Sequence, residues 1–268
     1  MRNMASCGSS RGIAAIVGVG PKLGRSIARK FAHEGYTVAI LARRLSRFAD
    51  EIAREEKSQV FAIRIDCSDS RSVREAFEGV LSLGFVEVLV YNAYQPLLDW
   101  HPCNFTDIRV DAFEKSLAVS SVGPFHCAQQ VLAGMVEKGR GTILFTGCAA
   151  SLNGMAGYAE LCCGKFALRA LSQCLAREFQ PLGVHVAHVI IDGVVGSPRF
   201  DFGKYCRGPM SSTSQHRSSV GEQQHSAGGD GSMDPDVLAQ TYWHLHIQNR
   251  SAWTQEIDLR PSIPPRFF

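Results

Sequence analysis

Gly18-Val19-Gly20-Pro21-Lys22-Leu23-Gly24 is the first stretch of the chain whose residue types can hold a ligand. Glycine has no Cβ, so the backbone at Gly18, Gly20 and Gly24 can come close to a phosphate. A helix that begins near Leu23 turns its first N–H groups and the positive end of its dipole toward the same charge. A glycine cluster also fits a plain turn, and here its position decides. It follows an apolar run from Gly12 to Gly18 and precedes a helical pattern from Leu23 to Glu34, the strand–turn–helix order of a dinucleotide-binding unit. The next apolar run, Thr37 to Ala42, ends in Arg43-Arg44. An acidic residue there would accept from the ribose 2′-OH of NAD, whereas two guanidinium groups suit the 2′-phosphate of NADP. Lys22 adds charge on the same side. The expected cofactor is therefore NADP(H), the alternative for the arginines being a solvated, basic helix start.

The elements that must position these residues alternate along the chain. Strands are expected at about 37–42, 60–65, 86–91, 142–147 and 184–191, with helices at about 45–56, 70–83, 112–137 and 158–179 between them. A helix over 234–248, opened by Asp234-Pro235, and a short strand near 254–259 complete the pattern. This predicts a Rossmann-type, doubly wound parallel sheet in a three-layer α/β/α arrangement of about seven strands, one domain over residues 1–268. Residues 1–11 are short and polar, and a flexible N-terminus is expected. The stretch 196–233 has no sustained period and is read as a substrate lid, with 207–233, dense in Ser, Gly and Gln, expected to be disordered.

The totals exclude several classes. A net charge of +3 argues against a nucleic-acid partner or a charged membrane surface. The nine cysteines are odd in number, none pair at CxxC spacing, and most lie in apolar runs, which points to a reducing compartment rather than a disulfide framework. No Cys/His spacing matches a metal site. No apolar leader or membrane-length run is present, so a cytoplasmic location is expected.

Taken in order, these positions resemble the short-chain dehydrogenase/reductase family from Gly12 to about Leu259. Asp66 matches the family's acid that contacts adenine, and Asn92-Ala93 match the centre of its Asn-Asn-Ala-Gly turn, with Tyr91 and Tyr94 in place of the outer residues. Gly123-Pro124-Phe125 and the run from Gly164 to Val189 also fit. The resemblance implies a catalytic Asn, Ser, Tyr and Lys. Lys165 matches the lysine, which would hold the nicotinamide ribose. Leu161 stands where the tyrosine belongs, Cys148 where the serine belongs and Ser120 where the asparagine belongs. Leu161 cannot transfer a proton, so the family's usual acid–base route is closed. Asp192-Gly193 replaces a Pro-Gly and brings a carboxyl group near the expected nicotinamide. This Asp-Gly and the ending from Arg250 to Pro261 resemble a divergent branch of the family.

Three side chains are candidates for the missing chemistry. Tyr158 lies one helical turn before Leu161, on roughly the same face, but seven residues from Lys165, too far for the lysine to tune it. Asp192 serves as acid or base if burial raises its pKa. Cys148 is a nucleophile if Lys165 favours its thiolate, and a packing thiol otherwise. Tyr94 is expected at the edge of the nicotinamide or substrate. Three functions stay open: an NADP(H)-dependent oxidoreductase acting on a small carbonyl or alcohol with a displaced acid, a non-redox enzyme on the same scaffold, and a non-catalytic binder of NADP(H) or a small ligand. The resemblance further implies a homodimer or homotetramer formed through the two long helices.

Overall fold

The computed structural model describes residues 11–44, 47–96, 102–196 and 232–262. Seven strands form one sheet: β1 (Ile13–Val17), β2 (Thr37–Ala42), β3 (Val60–Arg64), β4 (Val86–Tyr91), β5 (Gly141–Cys148), β6 (Val184–Ile191) and β7 (Glu256–Leu259). Their order is β3-β2-β1-β4-β5-β6-β7, and every neighbouring pair is parallel. β1, β4 and β6 are buried along their whole length, as the unbroken apolar runs require when helices cover both faces.

The helices are α1 (Leu23–His33), α2 (Phe48–Glu56), α3 (Ser70–Ser82), α4 (Val110–Leu117), α5 (Gly123–Lys138), α6 (Ala159–Phe179) and α7 (Pro235–His246). Ile27 and Phe31 of α1, Ile52 of α2 and Tyr242 of α7 build the core on one face. Phe77 of α3, Val131 and Met135 of α5 and Leu168 of α6 build it on the other. Asp69 caps α3 by accepting from the Arg71 N–H, and Asp234 caps α7 in the same way from Asp236, just ahead of Pro235 in the first turn.

Two expectations need correction. The single helix foreseen over 112–137 is α4 and α5 joined by a π turn, Ala118–Val122. The wide turn carries Ser120 against α6, where a Cβ on Gly164 would lie 2.7 Å from the Ser120 Cβ. The stretch 196–233 is also not irregular to its end. The Gly196 N–H donates to Met233 O at 2.9 Å and the Met233 N–H to Val194 O at 2.8 Å, so Met233 belongs to the core. The expectations for 1–10 and for 207–231 fall outside the described residues. No helix among the described residues is long and apolar enough to cross a membrane.

Burial lowers the pKa of three imidazoles, His185, His188 and His246. His246 is pushed down from 6.5 to about 4 by burial and by the charges of His185, Arg11 and Arg140. Its ring nitrogens meet Tyr36 Oη at 2.6 Å and Thr142 Oγ1 at 2.9 Å. The folded state favours the neutral ring, so this contribution is intact above the unfolded pKa near 6.5 and is lost as pH falls toward 4. Denaturant unfolding from pH 7 to pH 4 is expected to show a loss on the order of 3 kcal/mol from His246. A His246→Gln variant should show a flatter dependence, and an equal slope in both proteins would remove His246 as the cause.

Candidate active site at the strand ends

β1 feeds strands to one side of the sheet and β4 begins the other side, so a crevice opens beyond their C-terminal ends. The glycine loop fills its floor. Gly18 has φ +87°, and a Cβ there would lie 2.4 Å from the Ala93 nitrogen, so no side chain fits. Asn92 ties the two loops together: its N–H donates to Val17 O at 2.8 Å and its Nδ2 to Gly18 O at 3.0 Å. A Cβ on Gly24 would press on Gly18 O and Val19 Cα at 2.8 Å, which sets how closely α1 abuts the loop.

Gly20 is different, because a Cβ there would meet nothing within 4 Å. Space is therefore left above the loop. Lys22 is the cap residue of α1, no side chain accepts from the helix's first turn, and that turn carries no acid. The N–H groups at Leu23 and Gly24, which have no intrahelical acceptor, suit an anion. The residues present thus fit the pyrophosphate of a dinucleotide.

Arg43 and Arg44 are exposed just past the end of β2. Across the adjoining strand end, Asp66 accepts from the Ser68 N–H at 2.9 Å and from its Oγ at 2.7 Å. These two bonds, aided by the charge of Arg43, hold the Asp66 carboxyl below its usual range. Arg43 and Asp66 therefore share one end of the crevice.

At the other end, Lys165 of α6 is only 5% exposed and its Nζ donates to Thr146 O at 2.8 Å. Burial lowers its pKa, and the nearby Cys148 thiol works in the opposite direction. Cys148 is half-buried at the end of β5, its N–H donating to Ser151 Oγ at 3.3 Å. Tyr94 lies within electrostatic reach of that thiol. Local burial, followed by the effect of Cys148, raises the Tyr94 phenol, although 43% of the residue is exposed. Cys148 thus lies within electrostatic reach of both Lys165 and Tyr94.

The remaining candidates hold other places in the fold. Leu161 is half-buried one turn before Lys165 on α6. Tyr158 caps that helix, its N–H donating to Met155 O and its carbonyl accepting from Cys162. Ser120 is buried against Gly164. Asp192 is paired with Arg260 at 3.2 Å, so the buried, unpaired carboxyl that would make it an acid is not what the fold provides. Sequence reasoning passed over His188, Glu256 and Arg169, which lie linked beneath Lys165. The available signal was a pair of histidines in the otherwise apolar strand Val184–Ile191.

Strand order, glycine loop and buried lysine define an α/β protein of the Rossmann type. A family model described as short chain dehydrogenase matches residues 12–199, and the chain belongs to that family. A short-chain dehydrogenase/reductase of Armillaria gallica is 29% identical over 208 residues, 74% of this chain and 77% of the relative. Among solved structures, a short-chain dehydrogenase from Rhodopseudomonas palustris superposes with a TM-score of 0.74 at 28% identity, covering 93% of this chain and 98% of the other. An alcohol dehydrogenase from Thermococcus sibiricus, complexed with 5-hydroxy-NADP, shares the fold at a TM-score of 0.75 and 24% identity, over 96% and 100% of the two chains.

Proposed function

We propose that the chain is an NADP(H)-dependent oxidoreductase for a small carbonyl or alcohol substrate, with Tyr94 as the proton donor in place of the absent tyrosine at 161. The observation that carries the cofactor reading is the open space over Gly20 ahead of an uncapped helix, with Arg43 at the ribose end and no acid on the end of β2. The neighbour from Thermococcus sibiricus, described with 5-hydroxy-NADP, supports the same reading.

Bound NADP(H) supplies the hydride donor or acceptor. The glycine loop and the first turn of α1 bind the pyrophosphate, and Arg43, Arg44 and Lys22 hold the 2′-phosphate. Asp66 and the Asn92-Ala93 turn line the adenosine side. Lys165 has two N–H donors left after Thr146 O, enough to orient a ribose diol. Cys148 flanks the substrate oxygen. Tyr94 brings an O–H near Cys148, whereas Asp192 is held in an ion pair with Arg260, and this favours Tyr94 as the donor although burial raises its phenol. The proposed assembly is a homodimer or homotetramer, since Val122, Phe125 and Phe166 leave apolar surface exposed on α5, α6 and the turn between α4 and α5.

Titration with NADPH and NADH, read by nicotinamide fluorescence, tests the cofactor. NADPH should bind more tightly, and Arg43→Ala should weaken NADPH roughly tenfold to a hundredfold while leaving NADH unchanged, the range of a lost charged hydrogen bond. Failure to bind either dinucleotide would remove the redox reading.

A further inference from the structure

The amino ends of β1, β2 and β4 open on a second cleft, which the reading above leaves unused. Its volume is about 320 Å³, and Ile13, Thr37 and Phe85 line it together with Arg11, Lys138 and Arg140. Because the strands are parallel, this cleft lies at the end of the sheet away from the glycine loop. β1 alone spans about 16 Å between the two, at roughly 3.3 Å per residue. A small ligand here therefore lies clear of a dinucleotide held over the glycine loop.

The charge on the walls is one-sided. Three cations line the cleft and, among the described residues, no carboxylate does. Both guanidinium groups rest on aromatic rings, an arrangement that leaves their in-plane N–H donors available. The Arg11 Cζ lies 5.5 Å from the centre of the Tyr36 ring and 5.6 Å from that of Trp243. The Arg140 Cζ lies 5.5 Å from the centre of the Phe85 ring. None of the ion pairs among the described residues uses Arg11. Arg140 Nη1 is 3.3 Å from Glu87 Oε1, and Glu87 Oε2 accepts from the Gly12 N–H at 2.8 Å. Both oxygens of that acid are engaged and its side chain is only 12% exposed, so it fixes Arg140 rather than filling the cleft. Lys138 pairs with Glu137 at 3.8 Å, but both side chains are in solvent, where such a pair is worth little.

We propose that this cleft binds a small phosphate monoester, with its dianionic head between Arg11 and Arg140, Lys138 beside it, and its organic body against Ile13, Leu83 and Phe85. A guanidinium fork matches two phosphate oxygens, and two forks converge here. With one of the three lining cations tied to Glu87, two positive charges remain, the number a dianion balances and one more than a carboxylate needs. The volume stands at the small end of the range for ligand sites, which is more than a bare ion fills. The apolar wall behind the cations has a use only if the anion carries an organic group. The site does not depend on the oxidoreductase reading.

Phenyl phosphate is the probe, titrated into the full chain above the second ionisation of the ester, at about 6, and followed by amide NMR. The backbone amides of Gly12 and Gly84, which line the cleft, should shift saturably. Arg11→Gln should weaken binding about tenfold, the value of a lost charged hydrogen bond. Lys138→Gln, at an exposed position, should weaken it about threefold. Inorganic phosphate should bind more weakly than the ester, and Arg43→Ala, at the far end of the sheet, should leave the ester's affinity unchanged. No saturable shift at Gly12 and Gly84, an affinity unmoved by both cleft variants, or equal binding of inorganic phosphate would overturn the proposal. So would shifts confined to the glycine loop and lost in Arg43→Ala, which would put the ester in the dinucleotide crevice. Failure of the wild type to bind NADPH would sink the redox reading alone and leave this result standing.

Discussion

Tyr94→Phe is expected to lower kcat for carbonyl reduction about 10²-fold, and Leu161→Tyr in the same protein to restore it. The size follows from general acid catalysis, where a positioned donor contributes typically 10²–10⁴ in rate. Leu161 precedes Lys165 by one helical turn on α6, so a phenol at 161 would share the face that carries the lysine. Lys165 is buried and its charge is poorly screened, the setting in which an ammonium lowers a phenol pKa most strongly. The doubly substituted protein should therefore show a pH optimum displaced from that of the wild type, because the two phenols have different neighbours. NADPH oxidation with a panel of small ketones and aldehydes provides the measurement. Should Tyr94→Phe retain full rate, the donor is another group, with Tyr158 next in line. Should Leu161→Tyr leave Tyr94→Phe inactive, the crevice does not hold a substrate oxygen near position 161.

Gly18→Ala is expected to destabilise the protein by about 2–5 kcal/mol and to abolish NADPH binding. Two costs add. A non-glycine residue in the left-handed region costs roughly 1–2 kcal/mol, and Gly18 sits at φ +87°. The added methyl would also lie 2.4 Å from the Ala93 nitrogen and 2.5 Å from its Cα, backbone atoms that Asn92 fixes through its bonds to Val17 and Gly18. Overpacking of this kind typically costs another 1–3 kcal/mol. By contrast, Gly20→Ala should leave stability nearly unchanged, since its Cβ would enter open space, and should weaken only the dinucleotide. Urea unfolding and NADPH titration of both variants make the comparison. Equal stability losses would mean that the loop closes in another way.

The sheet was readable because its strands are unbroken apolar runs separated by helices of ordinary length, a pattern that burial on both faces imposes directly. The glycine loop was readable because a residue without a side chain has few other reasons to recur at that spacing. The kink of the long helix was not, because a π turn depends on the fit of Ser120 to Gly164, 44 positions away, and Ala118–Val122 reads as ordinary helix. Asp192 looked like an acid until the fold brought Arg260 to it from the far end of the chain. Glu256 and His188 are 68 residues apart, and only the pairing of β6 with β7 makes them neighbours. Ion pairs of this kind are properties of contacts, and no local period encodes them.

The two outermost strands carry a consequence for how copies of the chain can meet. A bare sheet edge invites a strand from another molecule and, with it, runaway polymerisation. At one margin β3 is five residues long and ends in the exposed Arg64, while at the other β7 is only four residues and alternates two acids with two aliphatics. Short, charged margins make poor templates for sheet extension. Any contact between copies is thereby left to the helical faces, where side chains rather than strand edges would meet.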